Sequence, residues 1–162
     1  MDIRLLREEE LHAAMEIYAD ARAFMRKIGN KDQWGDSWPP RSVLEEDIRE
    51  CRLYAVTADN ELKCVFAWWY GPHAEPTYDT VYGGRWISDE PYGVVHRIAA
   101  AEHSGAGKEA IQWAVKASNG HLKIDTHEAN AAMRHVLESL GFSERGVILL
   151  NNGEPRIAYE IC

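Results

Sequence analysis

The stretch from Tyr92 to Gly107, YGVVHRIAAAEHSGAG, constrains the fold of this chain more than any other part of the sequence. It begins with a short apolar run that is typical of an inner strand and is interrupted only at His96 and Arg97. Small residues follow, and from about Lys108 an apolar face at helical spacing predicts a helix. A small-residue loop before a helix N-terminus lets an anion contact bare backbone N–H groups. We therefore predict a phosphate-binding turn in an α/β fold.

Two common phosphate loops do not fit this turn. A Walker-type loop needs a Lys followed by Ser or Thr, with a Gly five residues before the Lys. Here Glu109 follows Lys108, and His103 occupies the position of that Gly. A dinucleotide fold would place its loop after the first strand, whereas this loop lies in the second half of the chain. An ordinary strand–helix turn remains an alternative for the loop by itself.

The rest of the chain reads as alternating helices and strands. Apolar residues at spacings of three, four and seven predict a long helix over Arg7 to Ile28, and a second helix covers Arg41 to Glu50. The predicted strands are Ile3 to Leu6, Leu53 to Ala58, Leu62 to Tyr70, Leu122 to Thr126, Val147 to Leu150 and Arg156 to Ile161.

The segment from Gly71 to Pro91 is too long for a plain turn and carries Tyr78, Tyr82 and Trp86. Three interpretations stay open for it at this point. It is a lid over a substrate, an extended hairpin, or the contact of a homodimer.

Two further motifs strengthen the interpretation of the central loop. Residues Asn130 to Phe142, NAAMRHVLESLGF, place an Asn at the start of a helix and Gly-Phe at its end, and ILLNNGEPRIAYE closes the chain as a hairpin. Glu102 to Gly107, EHSGAG, match Gln/Arg-x-x-Gly-x-Gly/Ala except at the first position. With HRIA and IDTHEAN, these motifs cover nearly the whole chain in a specific order. The sequence resembles the GNAT superfamily of acyl-CoA N-acyltransferases, and within it a subgroup of small bacterial proteins.

The resemblance implies a fold and an activity. The fold is one α/β domain over residues 1–162, with a mixed, mostly antiparallel sheet that is splayed near its centre and flanked by about four helices. The activity is acetyl-CoA-dependent N-acetylation of a small primary amine, by direct transfer through a tetrahedral intermediate. The family's usual acid is a Tyr seven residues after the Asn, but that position is Leu137 here. The alternative function is therefore a non-catalytic, CoA-binding sensor or interaction module.

The resemblance also implies which residues contact acetyl-CoA. The pantetheine arm pairs with the backbone of the central strand, and an N–H near Ile98 faces the thioester oxygen. The Asn130 amide bonds the same arm, and Lys108 pairs with a phosphate in compensation for Glu102. The full set of expected cofactor contacts is Ile98, Ala99, Ala100, His103, Ser104, Gly105, Ala106, Gly107, Lys108, Asn130 and Met133.

The amine must lose a proton, and two histidines are candidates for taking it. His96 lies on the central strand and His127 lies just past the fifth strand. An unperturbed imidazole titrates near pH ~6.5, so either ring is suited to this role, although a structural role stays open for both. Tyr54 and Tyr159 are weaker candidates for the acid.

Aromatic side chains are the candidates for the acceptor site. Trp34 and Trp38 lie between the first two helices, a region that commonly walls the acceptor site in the family. An indole supplies an apolar wall or a face for a cationic amine. Tyr78 is a third candidate for substrate contact. The alternative is that the tryptophan rings pin the loop to the core.

Composition limits the class of protein. A chain of 162 residues suggests one domain, and its formal net charge of -8 argues against a nucleic-acid partner while suiting a cationic substrate. The three cysteines lack metal-ligand spacing and predict free thiols, a cytoplasmic location and no metal site. No segment approaches the ~20 apolar residues of a membrane span.

Overall fold

The computed structural model describes residues 1–162 and contains seven strands and four α-helices. These elements are, in chain order, β1 (Asp2–Leu5), α1 (Leu11–Lys27), α2 (Arg41–Arg49), β2 (Leu53–Ala58), β3 (Glu61–Gly71), β4 (Tyr92–Ala100), α3 (Ala106–Ala117), β5 (Leu122–Thr126), α4 (Ala131–Ser139), β6 (Ser143–Leu149) and β7 (Pro155–Ile161).

The strands form one mixed, mostly antiparallel sheet, as predicted, and their order is β1-β2-β3-β4-β5-β7-β6. Its parallel pair is β4 with β5, joined through Gly93 with Leu122 and Val94 with Lys123. This register ends at Val94, although β4 continues to Ala100. Such a short parallel register agrees with the predicted splay, in which the two strands diverge after their first paired residues.

The chain divides into two compact units. The first comprises Met1–Trp68 and Val95–Ile111. Its core takes Leu11, Tyr18 and Met25 from α1, which confirms the predicted apolar stripe. The turn between β2 and β3 places Asp59 and Asn60 at φ +52° and +63°, the left-handed pair that a two-residue hairpin loop needs.

The second unit comprises Trp69–Val94 and Gln112–Cys162. Its core is built from Tyr78, Tyr92, Val94, Ile148 and Ala158. The apolar side of β4 thus packs with the closing strands β6 and β7, because alternate residues of each strand lie on one face of the sheet.

The Gly71 to Pro91 segment is anchored to this second core and contains no extended hairpin. Tyr78 is 1% exposed, and Trp86 donates its indole N–H to the Tyr78 carbonyl at 2.6 Å. Tyr82 forms an antiparallel bridge with Val147 of β6. The Glu160 carboxylate on β7 accepts the backbone N–H of Ile87 at 2.5 Å.

Two helix starts differ from the sequence prediction. A 3-10 turn over Glu8–Glu10 precedes α1, so the α-helix begins at Leu11 rather than at Arg7. The Glu10 carboxylate accepts the Arg7 N–H at 2.9 Å, which closes this tighter turn. In contrast, α3 begins at Ala106, before the predicted Lys108. None of the helices is both long and apolar enough to cross a membrane.

Candidate active site

The loop between β4 and α3 is closed by its own serine. The Ser104 hydroxyl donates to the Ala101 carbonyl at 2.7 Å and accepts the Ala106 N–H at 3.2 Å. His103 and Gly105 have φ values of +58° and +74°, so the backbone turns sharply before the helix. This serine link explains why α3 begins at Ala106.

The same geometry leaves donors available at the start of α3. The backbone N–H groups of Gly105, Gly107 and Lys108 have no hydrogen-bond partner in the structure. They lie at the positive end of the helix dipole, where an anion is stabilised. A Cβ at Gly107 would lie 3.4 Å from the Ala100 Cβ, an ordinary contact distance, so the start of α3 lies against the end of β4. The available N–H groups and the small side chains around them both suit a diphosphate.

The charged residues of the loop do not block this turn. Glu102 and His103 are both exposed, and the Glu102 carboxylate lies 3.9 Å from His103 Nε2. Lys108 is exposed on the first turn of α3. The acidic first position of the loop motif is therefore compatible with phosphate binding.

The strand before the loop carries the other predicted cofactor contacts. Ile98 and Ala100 are half-buried and Ala99 is buried on β4. Immediately before them Arg97 has a φ of +52°, which interrupts the regular strand. The Arg97 guanidinium donates to the carboxylate of Asp47 on α2, with Nε–Oδ2 and Nη2–Oδ1 distances of 2.7 and 2.9 Å.

Sequence reasoning missed Asp47, which is fully buried. Its spacing from Val43, Leu44 and Ile48 places it on the inward face of α2, where an apolar residue is expected. A charged residue at an apolar position was the sign that could have revealed it.

The predicted acceptor tryptophans differ in exposure. Trp34 is half-buried and packs on Tyr18, with ring centroids 5.7 Å apart and an angle of 58° between the planes. The Tyr18 hydroxyl donates to the Arg97 carbonyl at 2.6 Å, so Trp34 is one side chain away from β4. Trp38 is 42% exposed, and its carbonyl accepts a bond from Arg22.

The two candidate bases lie in different surroundings. His96 is half-buried on β4, next to Arg97. His127 is also half-buried, but its Nδ1 accepts the backbone N–H of Ala129 at 3.0 Å in the turn before α4. A neutral His127 therefore carries its proton on Nε2, and its one lone pair is already used. This geometry disfavours His127 as a base.

Asn130 has the predicted position at the start of α4. Its side-chain oxygen accepts the Met133 N–H at 3.2 Å, so it caps the helix, and the residue is buried. Met133 is half-buried in the first turn of α4. Leu137, at the position of the family's acid, is fully buried in the same helix and has no proton to give.

Three tyrosines lie in places that limit their chemistry. Tyr78 is a core residue, so its ring does not line an acceptor wall as predicted. Tyr159 is fully buried, and its oxygen accepts a bond from Arg134 Nε at 3.0 Å. Burial raises the pKa of Tyr54, which stacks on Phe66.

One cluster combines residue types that bind metals, namely His121, Glu160 and Cys162. His121 Nε2 lies 2.7 Å from the Glu160 carboxylate, and His121 Nδ1 lies 3.0 Å from the Pro91 carbonyl. The two side chains therefore satisfy each other, and their arrangement does not require an ion. All three cysteines are free, as predicted.

Known structures resemble this one over nearly its full length. A GNAT-family acetyltransferase from Streptococcus agalactiae is 30% identical, with a TM-score of 0.88 over 99% of this chain and 94% of its own. One from Listeria monocytogenes is 18% identical, with a TM-score of 0.68 over 98% and 92% of the two chains. The yncA protein of Salmonella typhimurium, solved with its cofactor acetyl-CoA, is 12% identical, with a TM-score of 0.59 over 99% and 91%.

No family model matches the sequence, and no curated protein matches it. The Streptococcus protein decides the family, since it is 30% identical and the match covers nearly all of both chains. The two more distant structures support the fold alone. The chain belongs to the GNAT family of acetyltransferases, and it is an N-acyltransferase.

Proposed function

We propose that residues 1–162 form one catalytic domain that transfers an acetyl group from acetyl-CoA directly to a small primary amine. The observation that carries this proposal is the set of unpaired N–H groups at Gly105, Gly107 and Lys108. Such donors at a helix N-terminus suit the diphosphate of coenzyme A.

The residues of β4 and its loop divide the binding of acetyl-CoA between them. The turn and the Lys108 ammonium hold the diphosphate. The backbone of β4 aligns the pantetheine arm, and the Ile98 N–H donates to the thioester oxygen as negative charge develops there. The Asn130 amide and Met133 contact the same arm. The full set of contacts that we propose is Ile98, Ala99, Ala100, His103, Ser104, Gly105, Ala106, Gly107, Lys108, Asn130 and Met133.

The acceptor site is formed by the tryptophans between α1 and α2. Trp38 offers an exposed indole, and Trp34 lies one side chain from β4, which places an apolar wall near the reacting strand. The net charge of -8 favours the approach of a cationic amine. We exclude the Tyr78 ring from this site because it is buried in the core.

His96 is the base that we propose for removing the proton of the amine. It lies on β4 two residues before Ile98, whose N–H faces the thioester oxygen in this proposal. No side chain is assigned as the acid for the departing thiolate, because Leu137 occupies the family position. The three free cysteine thiols of the chain support a reducing, cytoplasmic location for the protein.

Release of free thiol from acetyl-CoA tests the proposal. We expect saturable release with some members of a panel of small primary amines, and none above hydrolysis without amine. Release only with peptides bearing a free N-terminus would contradict a small acceptor and point to a protein substrate. No turnover on any amine would contradict the catalytic assignment itself.

A variant of His96 tests the base separately. We expect His96→Gln to lower kcat by at least about 100-fold, the usual contribution of a positioned base, while the affinity for acetyl-CoA is retained. An undiminished rate across the pH range would remove His96 from the mechanism.

A further inference from the structure

The backbone of Arg97 is in an unusual conformation for a strand residue. Its φ is +52°, in the left-handed region that residues with a Cβ rarely adopt, and it lies inside β4. Such a residue bends the strand and turns the peptide that follows it. The conformation persists only where the surrounding structure holds it, which is common at functional sites.

Two helices hold Arg97, one through its backbone carbonyl and the other through its side chain. The Tyr18 hydroxyl on α1 donates to the Arg97 carbonyl at 2.6 Å. The Asp47 carboxylate on α2 accepts two bonds from the Arg97 guanidinium, at 2.7 and 2.9 Å. A bidentate pair fixes direction as well as distance. These three hydrogen bonds therefore restrain both the backbone and the side chain of Arg97.

The position of Asp47 is costly for a purely structural residue. Its carboxylate is fully buried and lies in the last turn of α2, where the helix dipole disfavours a negative charge. A second arginine is needed there, since Arg52 Nε donates to Asp47 Oδ1 at 2.7 Å. The Asp47 carboxylate is buried and is paired with two guanidinium groups. A role in fixing the geometry of β4 would explain why a residue with this cost is present.

The peptide between Arg97 and Ile98 transmits this geometry. In a trans peptide the C=O and N–H bonds point in opposite directions. Because Tyr18 fixes the Arg97 carbonyl, the Ile98 N–H must point away from Tyr18. A hydrogen-bonded carbonyl also polarises its peptide, which makes the N–H a better donor.

We propose that Tyr18 and Asp47 are positioning residues for acyl transfer. They hold the Arg97–Ile98 peptide so that the Ile98 N–H donates to the carbonyl oxygen of the bound acyl donor. This inference rests on the proposed function, because the role of the Ile98 N–H is part of it. Neither side chain touches the reacting atoms.

Infrared spectroscopy of bound acetyl-CoA, labelled with carbon-13 at the acetyl carbonyl, tests this directly and needs no amine. A hydrogen bond to the thioester oxygen lowers the carbonyl stretching frequency. We compare the wild-type protein with Tyr18→Phe, which removes one hydroxyl and keeps the ring. Tyr92→Phe is the matched control, since Tyr92 is also buried and its hydroxyl contacts only the backbone of Glu75.

The expected result is a lowered frequency in the wild type and in Tyr92→Phe, and a smaller shift in Tyr18→Phe. With an amine, kcat of Tyr18→Phe should fall about 10- to 100-fold while KM for acetyl-CoA stays within about twofold, the pattern for a lost transition-state interaction. Asp47→Asn should act in the same direction. If it does not fold, Tyr18→Phe is sufficient.

Two other outcomes separate this inference from the proposed function. If the wild type binds acetyl-CoA with a lowered frequency and Tyr18→Phe shows the same band and the same kcat, the positioning role is overturned and the proposed function stands. If the wild type does not bind acetyl-CoA, the proposed function fails and the inference falls with it.

Discussion

The hydroxyl of Tyr78 lies 2.5 Å from Oδ2 of Asp125 on β5. Burial raises the pKa of Tyr78 well above its usual value, and the nearby Asp125 charge raises it further. The hydroxyl is therefore the donor and the carboxylate the acceptor. This bond and the aromatic contacts of the ring explain why Tyr78 serves the core rather than a substrate.

Removal of this hydroxyl should weaken the fold. We expect Tyr78→Phe to lower the free energy of unfolding by about 2 kcal/mol, since hydrogen bonds to charged groups contribute about 1.5–3 kcal/mol. Urea unfolding monitored by tryptophan fluorescence measures it. Tyr82→Phe is the control, because Tyr82 is 52% exposed and should change stability by less than about 0.5 kcal/mol. Equal stability of the two variants would contradict the structural role of the Tyr78–Asp125 pair.

A negative charge at the glycine turn should abolish binding of coenzyme A. Nothing lies within 4 Å of a Cβ built on Gly105, so Gly105→Glu fits sterically and adds only the strain of its φ of +74°, about 1–2 kcal/mol. Its carboxylate would repel the diphosphate. We expect the Kd for CoA, measured by calorimetry, to rise at least about 100-fold.

Gly153→Glu is the matched control for this substitution. Gly153 has a φ of +84° and equally open surroundings in the turn between β6 and β7. It should lower the melting temperature as much as Gly105→Glu does but leave the Kd for CoA unchanged. The same affinity in both variants would mean that the diphosphate does not bind at the turn.

The two roles of Asn130 can be separated by substitution. Serine is as good a helix N-cap as asparagine, so Asn130→Ser should change stability by less than about 0.5 kcal/mol. It lacks the carboxamide, and we expect KM for acetyl-CoA to rise about tenfold, the effect of about 1.4 kcal/mol. Asn130→Ala should also lose about 1 kcal/mol of stability through the missing cap. If Asn130→Ser leaves KM unchanged, the side chain has only the capping role.

Stability at low pH should depend on the pair of Glu10 and Arg4. The hydrogen bond from Arg4 lowers the pKa of Glu10 to about 2, from 4.5, although partial desolvation opposes the shift. The folded state therefore binds this proton more weakly than the unfolded state, and the stabilisation is present above pH 4.5 and lost as the pH falls towards 2. Both side chains are partly solvated, so we expect about 1 kcal/mol.

Glu10→Gln tests this dependence. Its free energy of unfolding should be about 1 kcal/mol below that of the wild type at pH 7, with the difference closing as the pH falls through 4.5 towards 2. Glu8→Gln, in the same turn, serves as the control. A difference between Glu10→Gln and the wild type that does not vary with pH would assign the effect to shape instead of charge.

Much of the site could be predicted from the sequence because its parts are local. Ser104, Gly105 and Gly107 act within one turn of chain, where small residues and left-handed backbone leave few alternatives. The cap at Asn130 bonds a residue three positions away. The Asp59–Asn60 turn likewise follows from two adjacent residues. In each case the interacting groups are neighbours in sequence, so local chemistry is sufficient.

Packing overturned predictions where the partner is distant. The pattern of the sequence could not place Tyr78 in the core, because its partner Asp125 is 47 residues away. The bond to the His127 Nδ1 comes instead from a near neighbour, Ala129, and depends on how the turn before α4 folds back.

The sequence by itself determined the order of elements and the glycine turn, and its motifs predicted the family. Only the tertiary structure decided the conformation of Arg97, since that residue is held by Tyr18 and Asp47, which lie 79 and 50 residues away. The residues next to Arg97 in sequence do not favour a left-handed conformation within a strand. The strain of this conformation is offset by hydrogen bonds from two helices. Such bonds exist only after the helices have packed on the sheet.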